Sequence, residues 1–324
     1  MEYSYDSNSN RVSQTIEGVT TSGIVYDEQD RLLNFGNKSF NYNANGELIS
    51  VSTSSPETVS NYVYDVFGNL KSVTLPSKAI TYGVDASNRR MVKKIDGIVT
   101  NYFIWNKNNQ LIGLSDANGT LTHRFVYGSK AHSPDYMIKG QNKFQIISNY
   151  LGSPVLVVNA TTGSVAQKVV YDEFGRVLSD TAPGFTPFGF AGCLYDVDTK
   201  LCRFGARDYD ASIGRWLSKD PIMFNGGDTN LYGYVLQDPI NLIDPEGTNP
   251  LAIGGIVAWI LYDLFSDPFG NDGSIPGRRN DRRIDMFIPG NEKYERMEYN
   301  RNIRKGLERF EDKNNFPANS CDLT

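Results

Sequence analysis

YDEFGRVLSD, residues 171–180, contains a short pattern that recurs along the chain: an aromatic residue, an acidic turn, a glycine, a basic residue and an apolar run. Earlier full or partial copies begin at Tyr5, Tyr26, Tyr42, Tyr64, Tyr82 and Asp116. The first four of these tyrosines are 21, 16 and 22 residues apart. Such self-similarity over most of the chain is typical of a repeat array rather than of a globule with a single core.

Each copy carries the signals of a β-hairpin. Its Asn-Gly or Phe-Gly centre supplies a residue that tolerates the positive φ of a tight turn. The flanking segments, such as 48–52 and 165–171, alternate with a period of two and are rich in β-branched and aromatic residues. One hairpin is marginally stable alone in water, so the repetition predicts a mainly β fold in which successive hairpins form one extended strip.

Composition agrees with a turn-rich β protein and argues against nucleic-acid binding by the whole chain and against a histidine metal site. The chain has 19 Tyr, 30 Gly and 14 Pro, and its net charge of −5 gives no reason to expect nucleic acid as a partner of the whole chain. Its only histidines are His123 and His132, and no metal site is predicted from them. The cysteines, Cys193, Cys202 and Cys321, are interpreted as buried thiols, with a Cys193–Cys202 contact across paired strands as the alternative.

The start of the chain shows no basic flank followed by an apolar core, so no secretory signal is visible. Met1 stands beside a repeat that is already under way. We therefore expect the sequence to be the end of a longer array or a truncated copy.

The character of the sequence changes near residue 180. From 181 to 247 glycines and aromatic residues are dense, and Asp-Pro occurs three times. Each proline removes a backbone donor and restricts the residue before it, which a plain ladder of hairpins does not tolerate. This stretch is predicted to be a compact cap of turns and short strands.

A specific resemblance lies in this cap. GFAGCLYDVDTKLCRFGARDYDASIGRWLSKDPIMFNGGDTNLYGYVLQDPINLIDPEG, which starts at Gly189, resembles the RHS repeat-associated core domain. The upstream units resemble the YD repeats of the same RHS/YD-repeat family, and 149–177 is similar to the segment that precedes the core. The resemblance covers 1–248. It divides the chain into YD repeats (1–180), core domain (181–248) and a variable C-terminal segment (249–324).

Membership would imply a definite architecture. Proteins of this family wind a strip of β-sheet into a hollow spiral shell, and the core domain plugs one end. The segment after the plug is commonly a toxin, held inside the shell and released by self-cleavage. Because full shells use far more chain, only a partial shell is expected here.

Three residues of the cap suggest chemistry even without the resemblance: Arg207, Asp220 and Asp244. Two carboxylates brought close together share a proton, so that one activates water while the other protonates a carbonyl oxygen or a leaving amine. A neighbouring guanidinium would orient one of them. This is acid-type peptide hydrolysis, which requires no cofactor and no metal.

The resemblance assigns these residues a role. In toxin-associated members an arginine and two aspartates form an aspartyl-protease-like site that cuts the chain shortly after the second aspartate. Here the cut would fall between Thr248 and Asn249, although the interval between the two aspartates is one residue longer and threonine replaces the usual apolar residue. The alternatives are that the Asp-Pro pairs only form turns, as expected for Asp238, and that Arg207 pairs with Asp208 or Asp210 at the surface.

The segment from Asn249 has a different style. Residues 250–265 are apolar and predict a buried helix, with a membrane-inserting segment or an anchor to the shell wall as alternatives. An amphipathic helix is predicted over 291–313. Ten basic and six acidic residues lie between Arg278 and Arg309, so contact with nucleic acid or an acidic membrane is an alternative to a solvated helix face. A mostly helical tail is therefore expected, as an effector or its remnant.

Two functions follow. The first is a polymorphic-toxin-type RHS protein whose core cleaves itself and releases the tail as cargo. The second is a non-catalytic orphan scaffold or surface-interaction protein. For the first, the resemblance implies a secretion-apparatus (type VI) or toxin-complex partner, an immunity protein, and secretion or surface display through a specialised export system after a cytoplasmic stage.

Overall fold

Antiparallel strands contain 49% of the described residues. The computed structural model describes residues 2–16, 18–248 and 250–252, which all belong to one compact unit. A small first sheet contains β1 (Glu2–Tyr5), β2 (Arg11–Ile16) and β3 (Val19–Thr21). A second sheet has 16 strands in the order of the chain, so each strand pairs with the next one.

The large sheet contains nearly all of the repeat region. Its strands are β4 (Val25–Tyr26), β5 (Leu32–Phe35), β6 (Lys38–Tyr42), β7 (Leu48–Ser54), β8 (Glu57–Tyr64), β9 (Leu70–Leu75), β10 (Lys78–Val84), β11 (Arg90–Ile95), β12 (Ile98–Trp105), β13 (Leu111–Ser115), β14 (Leu121–Val126), β15 (Tyr136–Lys139), β16 (Asn142–Ser148), β17 (Pro154–Asn159), β18 (Val165–Tyr171) and β19 (Val177–Asp180). The sheet is open, with β4 and β19 at its edges. The prediction of a mainly β fold built from a strip of YD hairpins is confirmed.

The repeated turns share one hydrogen-bonding scheme. In the turn at 172–176, Oδ1 of Asp172 accepts from the amides of Phe174 at 3.1 Å and Arg176 at 2.8 Å, and Gly175 adopts a φ of 85°. The same pair of bonds occurs in the turns that begin at Asp6, Asp27, Asp65, Asp85, Asn106 and Asp116. The side chain satisfies backbone donors that a tight turn leaves unpaired, which explains the Tyr-Asp signature.

The core region consists of short elements, as expected from its prolines and glycines. Its four-stranded sheet contains β20 (Leu194–Tyr195), β21 (Cys202–Phe204), β22 (Arg207–Asp210) and β23 (Arg215–Trp216). Single turns of 3-10 helix cover Phe190–Gly192, Met223–Gly226 and Val235–Gln237. A separate ladder pairs β24 (Leu242–Ile243) with β25 (Leu251–Ala252).

Repeats and core region share apolar clusters. Leu201, Ile213 and Leu217 of the core pack with buried side chains of the first repeats, such as Leu48 and Ile80. A further cluster inside the core region is rich in aromatic residues: Phe190, Phe204, Tyr209, Trp216 and Tyr234. Burying these large side chains supplies much of the driving force that holds the short core strands in place.

Buried ion pairs also join the two regions. Asp208 of β22 accepts from Arg90 of β11 at 2.6 Å and from Arg203 of β21 at 2.9 Å. Lys93 of β11 lies 2.7 Å from Asp196 of the core. Since charges are stable in a protein interior only when they are paired, these contacts fix one position of the core against the strip.

Only residues 250–252 of the last segment are described, so most predictions for this segment are not tested. Leu251 and Ala252 form a strand and not the start of the helix predicted for 250–265, because their backbones pair with Ile243 and Leu242. Residues 253–265, the basic stretch, the amphipathic helix over 291–313 and Cys321 lie outside the described residues. Cys193 and Cys202 are buried free thiols, as predicted. Within the described part, no helix is long and apolar enough to cross a lipid bilayer.

Candidate functional site

Arg207, Asp220 and Asp244 meet in the core region although they are far apart in the sequence. Arg207 begins β22, Asp220 follows β23, and Asp244 follows β24. The Nη2 atom of Arg207 lies 2.7 Å from Oδ2 of Asp220 and 3.3 Å from Oδ2 of Asp244. The structure therefore brings together the three residues singled out in the sequence.

Close backbone contacts place these residues. The Asp220 amide donates to the carbonyl oxygen of Leu231 at 3.1 Å, which fixes the chain after β23 against the segment that follows it. The Ala206 amide donates to the carbonyl oxygen of Glu246 at 2.9 Å. A Cβ atom at Gly205 would overlap the backbone of Glu246. Glycine at 205 thus permits the approach that sets Arg207 beside the Asp244 turn.

The Arg207 side chain is held on several sides. Its guanidinium carbon lies 4.2 Å from the centre of the Trp216 ring, in a cation–π contact. Its Nε donates to the carbonyl oxygen of Gly247 at 2.6 Å, and its Nη1 to that of Leu231 at 3.4 Å. The guanidinium is therefore a fixed part of the site, and it contacts the backbone just before the predicted cleavage position.

All three side chains are removed from solvent. Arg207, Asp220 and Asp244 are 4%, 7% and 2% exposed. Burial lowers the pKa of Arg207 even though both carboxylates oppose this effect. Burial raises the pKa of Asp220 above its ordinary value and outweighs the opposite influence of Arg207. A carboxyl group that retains its proton to higher pH is suited to proton donation.

Arg207 joins the two carboxylates. Each contacts the same Arg207 nitrogen, so their Oδ2 atoms lie within two hydrogen-bond lengths of one another. The sequence predicts two close carboxylates that share a proton and a guanidinium that orients one of them. In the structure the guanidinium bridges both, because a cation between two buried carboxylates reduces their repulsion.

The chain near the predicted cut lies against the same residues. The Thr248 amide donates to Oδ1 of Asp244 at 3.0 Å. A Cβ atom at Gly226 would lie 2.8 Å from the Thr248 carbonyl oxygen and 2.9 Å from Oδ2 of Asp220, so these two oxygens flank one small space. Asn249 lies outside the described residues. Beyond it, β25 pairs with β24, which holds the chain on the far side of the junction.

A small cavity of about 20 Å³ opens at the three residues, which is enough room for one water molecule. Asp228 and Gly226 also line it, and the sequence analysis identified neither of them. Burial raises the pKa of Asp228. The sequence signal for both was the stretch NGGDTN, where paired glycines allow close approach and one acidic residue follows.

The other residues considered in the sequence have separate roles. Asp238 accepts from the side chain of Asn241 at 2.9 Å in a turn, as expected. Asp208 pairs with Arg90 and Arg203 in the interior and forms no ion pair with Arg207. Arg207 is buried and forms its ion pairs with Asp220 and Asp244, so the suggested surface pairing with Asp208 or Asp210 is wrong. Among the described residues, no cluster of histidine, cysteine and carboxylate side chains has a geometry suited to a metal ion.

Comparison with known proteins identifies a family and several relatives of this chain. The family model described as Teneurin YD-shell matches residues 1–240. The tRNA nuclease WapA of Bacillus subtilis is 27% identical over an alignment of 259 residues, and the alignment covers 76% of this chain and 11% of that protein. Human Teneurin-1 is 26% identical over 269 residues, 82% of this chain and 10% of that protein. The chain thus spans about a tenth of the length of these curated relatives.

Among solved structures, the chain aligns with the Photorhabdus luminescens Tc holotoxin pore that carries a mutated TccC3 component. It aligns with a TM-score of 0.46 and 16% identity, over 77% of this chain and 17% of that chain.

Proposed function

Because the chain belongs to the Teneurin YD-shell family of RHS/YD-repeat proteins, we propose that its core region cleaves the bond between Thr248 and Asn249. The cleavage is intramolecular and of the aspartyl type, and it releases the segment from Asn249 onward. The repeats serve as part of a β-shell. The observation that carries this proposal is the bridge from Arg207 to Asp220 and Asp244 beside the Thr248 backbone.

The chemistry follows from the positions of the two carboxyl groups. Protonated Asp220, whose Oδ2 borders the same small space beside Gly226 as the Thr248 carbonyl oxygen, donates a proton to that oxygen. Ionised Asp244 removes a proton from a water molecule, and the water oxygen bonds to the Thr248 carbonyl carbon. The tetrahedral intermediate then collapses: the carbon–nitrogen bond breaks, Asp244 gives its proton to the leaving amine of Asn249, and a hydroxyl group of the intermediate returns a proton to Asp220, which leaves a carboxylic acid at Thr248. Water is the only co-reactant.

The fixed position of the backbone should accelerate the proposed cleavage. Arg207 and Asp244 hold Gly247 and Thr248 by hydrogen bonds of 2.6 and 3.0 Å. The β24–β25 ladder holds the chain beyond Asn249. A bond fixed at both ends beside its catalytic groups reacts without a loss of translational freedom, which is the main advantage of an intramolecular reaction.

Intact mass of the purified full chain tests the proposal. We expect fragments that end at Thr248 and begin at Asn249, and we expect Asp220→Asn to leave the chain whole. Asp238→Asn is the matched control, because Asp238 also precedes a proline but its carboxyl group bonds to Asn241 in a local turn and not to Arg207. A wild-type chain that stays whole over days at mildly acidic and neutral pH would favour the second function, a scaffold without catalysis.

The fate of the released segment belongs to the same proposal. A toxin activity of residues 249–324, an immunity protein, a toxin-complex or secretion-apparatus partner, and export to the cell surface or beyond are proposed on family membership. RNA is the first target to test, because WapA is described as a tRNA nuclease and the segment carries a basic stretch. The test is tRNA degradation by the released segment.

A further inference from the structure

The turn at residues 6–10, which we call the first YD turn, is bonded to the chain beside the candidate site. Oδ1 of Asn10 accepts from Nη1 of Arg215 at 2.9 Å and from Nδ2 of Asn230 at 2.7 Å. Asn10, Arg215 and Asn230 are 2%, 3% and 1% exposed. A buried and fully bonded polar cluster permits few alternative arrangements of its members.

Other bonds extend this cluster in both directions. Nη2 of Arg215 donates to Oδ1 of Asn230 at 3.1 Å and to the carbonyl oxygen of Asp30, in the next turn, at 2.6 Å. Nδ2 of Asn230 also donates to the carbonyl oxygen of Asn8 at 3.1 Å. Both core residues are therefore bonded to each other and to the repeats.

The third turn contacts the same part of the core. The Tyr232 hydroxyl donates to the carbonyl oxygen of Gly46 at 2.8 Å, and the Leu48 amide donates to that of Leu217 at 2.9 Å. A Cβ atom at Gly46 would overlap Tyr232 and Lys219. Three successive turns thus contact the segment 215–232.

That segment carries the candidate site. Asp220 lies within it and bonds to the Leu231 backbone, and Asn230 and Asp228 line the cavity beside Asp220. Trp216, on which Arg207 stacks, is next to Arg215. Displacement of the Arg215–Asn230 pair would therefore shift the Asp220 carboxyl relative to Arg207.

We infer that contact of Asn10 with Arg215 and Asn230 positions the segment 215–232, so that cleavage requires the first YD turn to be bound to the core. Asn10 and Asn230 are positioning residues, and they act through the backbone that carries Asp220. The inference rests on the proposed function. It also makes cleavage depend on folding, because the chain is cut only after the repeats have folded against the core.

Another turn provides a matched control. Asn69 occupies the same place in the turn at 65–69 as Asn10 does in the first YD turn, and it is 3% exposed. It accepts from a buried core arginine as well, Arg203, at 2.8 Å. Its hydrogen-bond partners lie outside 215–232, so Asn69→Ala removes a comparable contact without releasing the Asp220 segment.

The experiment compares Asn10→Ala and Asn230→Ala with Asn69→Ala in the full chain. The first two should slow cleavage at Thr248 about tenfold or more, while Asn69→Ala should change it by about twofold or less. Amide hydrogen exchange is measured in parallel in an Asp220→Asn background, where every chain is whole. There Asn10→Ala and Asn230→Ala should accelerate exchange within 215–232, and Asn69→Ala should not.

Equal slowing by all three substitutions, or unchanged exchange in 215–232 after Asn10→Ala, would overturn the inference. Asn230→Ala removes the same Asn10–Asn230 hydrogen bond from the core side. The experiment can therefore be carried out with this variant if Asn10→Ala fails to fold. If the wild-type chain is never cut, the proposed function fails, and the exchange comparison still decides whether the first YD turn positions the segment.

Discussion

Nη2 of Arg207 lies 2.7 Å from Oδ2 of Asp220, and the same nitrogen reaches Asp244 at 3.3 Å. One buried cation thus joins two aspartates that each precede a proline. The third Asp-Pro pair, at Asp238, forms only a local turn. A contact with Arg207 therefore separates the two aspartates of the candidate site from one that shares their sequence motif.

Replacing Arg207 by methionine should destabilise the protein strongly at neutral pH. The change leaves two buried carboxylates without their cation, and breaking a buried pair in this way costs about 3–5 kcal/mol. Chemical denaturation, read by Trp fluorescence, measures the loss. Arg176→Met is the control, because Arg176 pairs with Asp172 at the surface with 41% of its side chain exposed. Its loss should be about 1 kcal/mol or less, and equal losses would contradict the burial argument.

Gly226→Ala should slow cleavage while leaving the fold intact. The added methyl group would lie 2.8 Å from the Thr248 carbonyl oxygen and 2.9 Å from Oδ2 of Asp220, so it would push the two apart. We expect a loss of about a hundredfold in rate, because small misplacements of reacting groups have effects of this size. Intact mass against time gives the rate.

Gly119→Ala is the control for this change. Gly119 has a φ of 81°, where alanine is strained, but no atom lies within 4 Å of the added Cβ. It should lower stability modestly and leave the cleavage rate unchanged. A similar slowing by both substitutions would show that the Gly226 effect is not local.

Cleavage should be faster at mildly acidic than at neutral pH. Burial raises the pKa of Asp220, so the proton that it donates is present below that pKa and is lost as the pH rises through it. The measurement is the cleaved fraction against time over a series of buffers. Asp228, whose pKa burial also raises, lines the same cavity. In Asp228→Asn the cleavage rate should still decline as the pH rises. If the rate no longer depends on pH in this variant, the donated proton belongs to Asp228 instead.

Asp208→Asn should weaken the attachment of the core to the repeats. Asp208 balances two buried guanidinium groups, those of Arg90 and Arg203, at 2.6 and 2.9 Å. Loss of its charge should lower the free energy of unfolding by about 3–5 kcal/mol. Lys78→Met removes a partly exposed pair with Asp198 and should have a much smaller effect in the same denaturation experiment. Equal effects would argue against the importance of the buried cluster.

The sequence by itself determined the strip of hairpins. A tight turn needs a side-chain acceptor at its start and a residue with positive φ near its end, and both are local requirements that appear in YDEFG as they do at Asp65 and Gly68. Because such signals involve neighbouring residues only, they can be counted along the chain. The short strands and turns of the core were foreseeable for the same reason, from its prolines and glycines.

The tertiary structure decided which charged residues meet. No local rule distinguishes Asp220 and Asp244 from Asp238, and only the packing of β22 against the Asp244 turn puts one guanidinium between the first two. Gly226 and Asp228 gained their place beside the site through contacts with distant residues. Strand Leu251–Ala252 formed because a partner strand was available, against the apolar pattern that predicted a helix. Long-range pairing of this kind depends on the free energy of the whole fold, which a local pattern does not contain.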